Sequence, residues 1–252
     1  MGESGMRWRL LSALILTAAL FIAAAQAATI TVGPEGCDYA SIQRAVEEAN
    51  PGDTISVQSG TYRENLVVDK SIVLRGTDSG SGKPVLDGKG VGSAITLAAD
   101  QITFEGFVVK NSGFGKAGIE VKSNKNYIRN NLVTENKWYG VSLSDSDDNV
   151  ISGNVISKNK YGIWIPAGSD GNRIAQNEFA NNANDNAVDA GTNQWDKNLY
   201  DDLEKGETSY RIPGGSNVDH NPKAPVLEPT GNDAGSSTIT VKITIPTPII
   251  GS

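Results

Sequence analysis

Three segments of this chain align with one another at a fixed period, and no other feature of the sequence limits the fold so strongly. NYIRNNLVTENKWYGVSLSDSDD begins at Asn126, NVISGNVISKNKYGIWIPAGSDG at Asn149 and NRIAQNEFANNANDNAVDAGT at Asn172, so the first two steps are 23 residues each. Apolar residues recur at Ile128, Ile151 and Ile174 and again at Val133, Ile156 and Phe179. Asparagines fall in columns at Asn131, Asn154 and Asn177 and at Asn136, Asn159 and Asn182. A period in the twenties defines a solenoid, whose units bury their apolar faces only by stacking. The segments are rich in Asn, Gly, Ser, Val and Ile, poor helix formers, which argues against helical solenoids. The L-x-x-L-x-L strand of leucine-rich repeats is missing, and the period is not a multiple of the hexapeptide unit of a left-handed β-helix.

What remains is an all-β, right-handed parallel β-helix with three short strands per coil and coils stacked at the ~4.8 Å inter-strand spacing. Inward aliphatics then form columns, and corner asparagines can form amide ladders along the axis. Asn and Gly also tolerate the positive φ of sharp corners. Upstream, Ile119/Val121, Ile102/Phe104, Ile95/Leu97, Ile72/Leu74 and Ile55/Val57 continue the alternation with longer insertions. The span 54–190 is sufficient for roughly six coils.

The end coils of a solenoid expose apolar side chains and strand edges and need caps. DYASIQRAVEEAN carries a helical stripe of Ile42, Ala45, Val46 and Ala49, with Asp38 or Ser41 to cap its start and Pro51-Gly52 to end it. The expected organisation is a strand and capping helix over 28–53, coils over 54–194, an irregular aromatic C-terminal cap over 195–229, and a tail or edge strand containing STITVKITI over 230–252.

Residues 1–27 read as a secretory signal: Arg7 and Arg9, an apolar stretch from Leu10 to Ala25, and the A-x-A site Ala25-Gln26-Ala27. The mature protein is expected to start at Ala28 and to be secreted, periplasmic or on the cell surface. Cys37 is the single cysteine, so no intrachain disulfide can form. A net charge of −7 without a basic cluster argues against nucleic acid as partner.

GDTISVQSGTYRENLVVDKSIVLRG, preceded by DYASIQRAVEEANP, resembles the N-terminal signature of NosD-like, carbohydrate-binding and sugar-hydrolase-type β-helix proteins of the pectin-lyase-like group. The N-x-V/I-x-x-N-x-x-G-I repeats and the ending NQWDKNLYDDL…YRIPGGSNVDHNP are similar to the same family, over about residues 38–222. The resemblance implies the fold and an exported, surface-located protein. It does not imply one activity, because this fold hosts lyases, hydrolases, epimerases and proteins without catalysis.

Three functional readings follow. In IEV, VSL and IWI the middle residues Glu120, Ser142 and Trp164 share an outward column, beside Trp138, Tyr139 and Tyr161. Exposed aromatics among polar groups suit sugar rings, so polysaccharide or a surface glycan is the expected partner of a non-catalytic module; the competing reading is a tyrosine ladder that only stabilises the coils. The second reading places an acidic column, Asn124, Asp147 and Asp170, on a corner, with Tyr127 and Arg173 nearby. Stacked carboxylates could serve a polysaccharide lyase, hydrolase or epimerase, or take Ca²⁺ through their oxygens, although no cofactor or resident metal is expected. The plain alternative for that column is a solvated turn. The third, a copper accessory role, is disfavoured: outside the signal there is no Met, one Cys and one His, a poor set of soft ligands.

Overall fold

The computed structural model describes residues 26–224; most of the expected signal and all of the expected tail lie outside them. Within that range the chain winds into a parallel β-solenoid with three sheet faces. Face I has ten strands, nine of them parallel, from Thr29–Val32 through Thr54–Gln58, Tyr127–Arg129 and Arg173–Ala175 to Val218–Asp219. Face II has seven strands, from Thr61–Tyr62 to Leu199–Tyr200, and face III six, from Leu66–Val68 to Asp185–Asp189.

Period-two alternation sends one set of side chains inward, and parallel register stacks like on like. Ile55, Leu74, Phe104, Ile128, Ile151, Ile174 and Trp195 form the inward column of face I in unbroken register. Leu86, Val109, Val133, Ile156, Phe179 and Tyr200 do the same on face II. The aliphatics predicted from the repeat, Ile128, Ile151, Ile174, Val133, Ile156 and Phe179, are all fully buried.

Three corner ladders tie the coils together. Asn131, Asn154 and Asn177 each donate a side-chain N–H to the Oδ1 of the residue one coil on, at 3.0–3.1 Å, with Asn198 receiving the last. Asn198 in turn donates to the buried carboxylate of Asp219 at 2.9 Å. The second ladder runs Asn136, Asn159 and Asn182, and ends through Asn186 on Asp201 and Asp202. The third runs Asn126, Asn149, Asn172 and Asn193.

The solenoid runs to about eight turns, more than the roughly six expected. Six complete three-strand coils span Thr54–Asp189, and incomplete turns extend both ends. The segment expected as an irregular cap begins by adding strands, Gln194–Asp196 and Leu199–Tyr200, because Asn193 and Asn198 hold their ladder positions although the spacing has shortened to 21 residues. The aromatics beyond then close the core: Tyr200 stacks on Phe179 at 5.3 Å, and Tyr210 on Tyr200 at 3.7 Å.

At the other end the helix Ile42–Glu48 lays Ile42, Ala45, Val46 and Ala49 on the first coil, as its stripe predicts. Ser41 is the N-cap, accepting from Arg44 N at 3.3 Å, whereas Asp38 bonds Thr31 instead. Both orphan ends of this short helix are also satisfied from the coil beneath. The Glu64 carboxylate accepts from Ile42 N and Gln43 N, and Lys70 Nζ donates to the Val46, Glu47 and Ala49 carbonyls.

Candidate functional site

Face III brings five of the sequence-predicted residues into one patch. Its strands Ala117–Val121, Tyr139–Leu143 and Tyr161–Ile165 pair so that Glu120, Ser142 and Trp164 occupy one outward column. Ala117, Tyr139 and Tyr161 occupy the next. The flanking Ile119, Val121, Val141, Leu143, Ile163 and Ile165 are fully buried, which fixes the orientation of the column. Each aromatic strand has glycine as its second residue for a steric reason: a Cβ on Gly140 would lie 2.7 Å from the Gly162 carbonyl oxygen and 2.8 Å from Asn159 Nδ2, breaking into a ladder.

The rings form a connected cluster. Tyr139 lies 5.8 Å from Tyr161 and 5.4 Å from Trp164, and Tyr161 lies 5.3 Å from Trp164. Trp138 joins through Tyr139 at 6.2 Å and Tyr161 at 6.3 Å, but its own surroundings are already filled: Phe114 packs 4.3 Å away and Lys160 Nζ sits 3.4 Å over its ring. Phe114 is 76% exposed and escapes notice in the sequence because it lies upstream of the strict repeat, in a loop flanked by glycines. Lys160 was equally hidden, since nothing in a linear pattern shows a cation folding over a ring one coil away.

Beside the rings runs a groove of about 220 Å³ lined by Gly115, Ala117, Glu120, Tyr139, Ser142, Ser144, Trp164 and Pro166. Glu120 is fixed in its wall. Ser93 Oγ donates to Oε2 at 3.0 Å, Thr96 Oγ1 at 3.3 Å, and Lys122 Nζ pairs with Oε1 at 2.9 Å. Burial pushes the carboxyl up, but the hydrogen bonds from Lys122 and Ser93 and the charge of Lys122 outweigh it and hold it below the ordinary range.

The acidic candidates lie apart, on the corner between faces III and I. Asp147 N donates to Asn124 Oδ1, Asp170 N to Asp147 Oδ1, and Thr192 N to Asp170 Oδ1, at 2.6–2.7 Å. The column is therefore a fourth ladder, with exposed rather than buried rungs, in which each carboxylate satisfies a backbone N–H of the following coil. Arg173 stands on the outer side of face I, two rungs from Tyr127 in one column, with its nearest carboxylate at Asp196, 3.9 Å away. Asp147 and Asp170 are adjacent rungs of this ladder, and Arg173 opens the face I strand that follows Asp170.

The coil defines the class: a parallel β-helix. An alginate lyase from a Paenibacillus species superposes with a TM-score of 0.53 at 17% identity, covering 68% of this chain and 76% of its own. A pectate lyase superposes with a TM-score of 0.52 at 16% identity, covering 75% and 58%. Residues 25–212 match the family described as periplasmic copper-binding protein (NosD), and the chain belongs to that family. A cell surface glycoprotein of Methanothermus fervidus is 31% identical over 110 residues, 40% of this chain; the chain spans only 18% of that relative.

The family description raises copper, and the donors can be tested for it. Copper(I) takes thiolate, thioether and imidazole ligands. Cys37 and His220 are the one cysteine and the one histidine, and both methionines, Met1 and Met6, precede the described residues. Cys37 follows the first strand of face I and His220 the strand Val218–Asp219, eight inter-strand steps away, roughly 38 Å at the ordinary spacing. Among the described residues no three His, Cys, Asp or Glu side chains converge on a metal position. These donors do not fit a copper site within one chain.

Proposed function

We propose that this is an exported, surface-located β-helix protein that holds glycan chains in the face III groove without cleaving them. The location is supported by the periplasmic description of its family and by its likeness to part of a cell surface glycoprotein. The observation that carries the binding role is the meeting of an aromatic floor, Tyr139 and Trp164, with hydrogen-bonding groups on Glu120, Ser142 and Ser144 in one groove. Ring faces take the apolar face of a sugar, and the polar wall takes its hydroxyls. The tyrosine ladder and the platform are one structure here, since Tyr139 both packs on Tyr161 and lines the groove.

The test is retention of purified protein on a polysaccharide panel, with and without Ca²⁺, while unsaturated uronates and reducing ends are followed. Retention without products is expected, weakened about tenfold in Trp164→Ala and unchanged in Tyr127→Ala, which removes an exposed ring from face I. Ca²⁺-dependent products that vanish in Asp147→Ala would overturn the reading in favour of an enzyme at the corner column. Neither retention nor products would leave a structural surface protein.

A further inference from the structure

We infer that the groove selects an uncharged, hydroxyl-bearing sugar chain and rejects polyuronates, with Glu120 as the discriminating residue. The inference rests on the glycan-binding reading above and names its ligand class. Glu120 carries the only charged side chain among the eight residues that line the groove. Two cations close to the patch are already engaged, Lys122 on Glu120 at 2.9 Å and Lys160 over Trp138 at 3.4 Å. The carboxylate has about four acceptor positions, and Ser93, Thr96 and Lys122 account for three. What it offers a ligand is a negative acceptor, which a sugar hydroxyl can satisfy as donor and a uronate carboxylate cannot. Ser142 and Ser144 donate or accept as required, and the Tyr139 and Trp164 rings are indifferent to charge on the far side of a sugar. The likeness to alginate and pectate lyases extends to the coil, and no Lys or Arg is among the residues that line this groove.

The experiment is calorimetric titration of the full chain with cellohexaose, mannohexaose and hexagalacturonate at one ionic strength. A neutral hexasaccharide is expected to bind at least about tenfold more tightly than the uronate. Glu120→Gln should bring the two within a few-fold of each other. Lys122→Met keeps the carboxylate but removes its counter-ion and should widen the gap, which supplies an independent reading should the Glu120 variant fold poorly. Equal or tighter binding of hexagalacturonate would overturn the inference, with Lys116 beside the groove then the governing charge, and would leave glycan binding standing. A gap that neither variant moves would remove Glu120 as its cause. Binding of no oligosaccharide would overturn the glycan-binding reading itself, and the inference with it.

Discussion

A single corner asparagine shows what holds adjacent coils together. Asn154 is 1% exposed; its Nδ2 donates to Ile128 O at 2.9 Å and to Asn177 Oδ1 at 3.0 Å, while its Oδ1 accepts from Asn131 N at 3.0 Å. Truncation therefore removes more than one bond, because it strands a buried N–H on one side and a buried carbonyl on the other. An unsatisfied buried group costs about 1–3 kcal/mol, so Asn154→Ala should destabilise the protein by about 3–5 kcal/mol, read from the urea midpoint. Exposed asparagines of the same turns carry no such load: Asn130, one residue before Asn131, supplies the left-handed φ of 56° that turns the chain. An Asn130→Gly variant should be nearly neutral by the same measurement, since glycine reaches that φ without strain.

At the scale of strands, charge crosses three rungs of face I. Glu105 lies between Arg75 and Arg129 and bonds both, at 2.6 Å to Arg75 Nε. Burial raises its carboxyl, but the two arginines prevail and hold it below its ordinary value. A carboxyl lowered by folding contributes fully above its unfolded value of about 4.3 and loses that contribution as pH falls through the folded value. Glu105→Gln should therefore lower stability near neutrality and flatten the acid limb below about pH 4, followed as the urea midpoint against pH. Much at this scale was legible beforehand. The inward columns, the Asn columns and the lid helix follow from period and alternation, and Glu120, Trp138, Tyr139, Tyr161 and Trp164, which alternation sets side by side, do lie together on face III. The extra turns were not legible, because the spacing shortens to 21 residues while Asn193 and Asn198 keep their ladder places. Nor was the role of Glu64, inside the run GTYREN: the residue that looks like part of a sequence signature is a clamp on the lid helix. The groove wall was half visible, since Glu120 stands in the repeat but Ser93 and Thr96, which orient it, lie where the period loosens.

Across the whole molecule, contacts run from coil to coil, so stability is close to a sum of nearest-neighbour terms and the ends open first. Asp219 closes the C-terminal end. It is fully buried and accepts from Lys197 N, Asn198 N, Asn198 Nδ2, Tyr200 Oη and Asn221 N. An asparagine there would turn one acceptor oxygen into a donor facing donors. Asp219→Asn should cost about 2–3 kcal/mol, and amide exchange should rise in residues 194–223 while the strands from Thr54 to Ser152 stay protected. The buried ladders carry one further consequence. Each side-chain amide takes its bond at oxygen from the coil before and gives its N–H to the coil after, so the amide dipoles add along the axis much as peptide dipoles do in a helix. The solenoid is electrically polar, with its partial positive pole at the C-terminal end. Asp219 terminates one ladder there, and Asp201 and Asp202 terminate another. Those carboxylates neutralise the pole and act as stop signals: another coil could be spliced into the middle of the stack by copying 23 residues, but none could be appended beyond Asp219 without first giving the last asparagine somewhere else to donate.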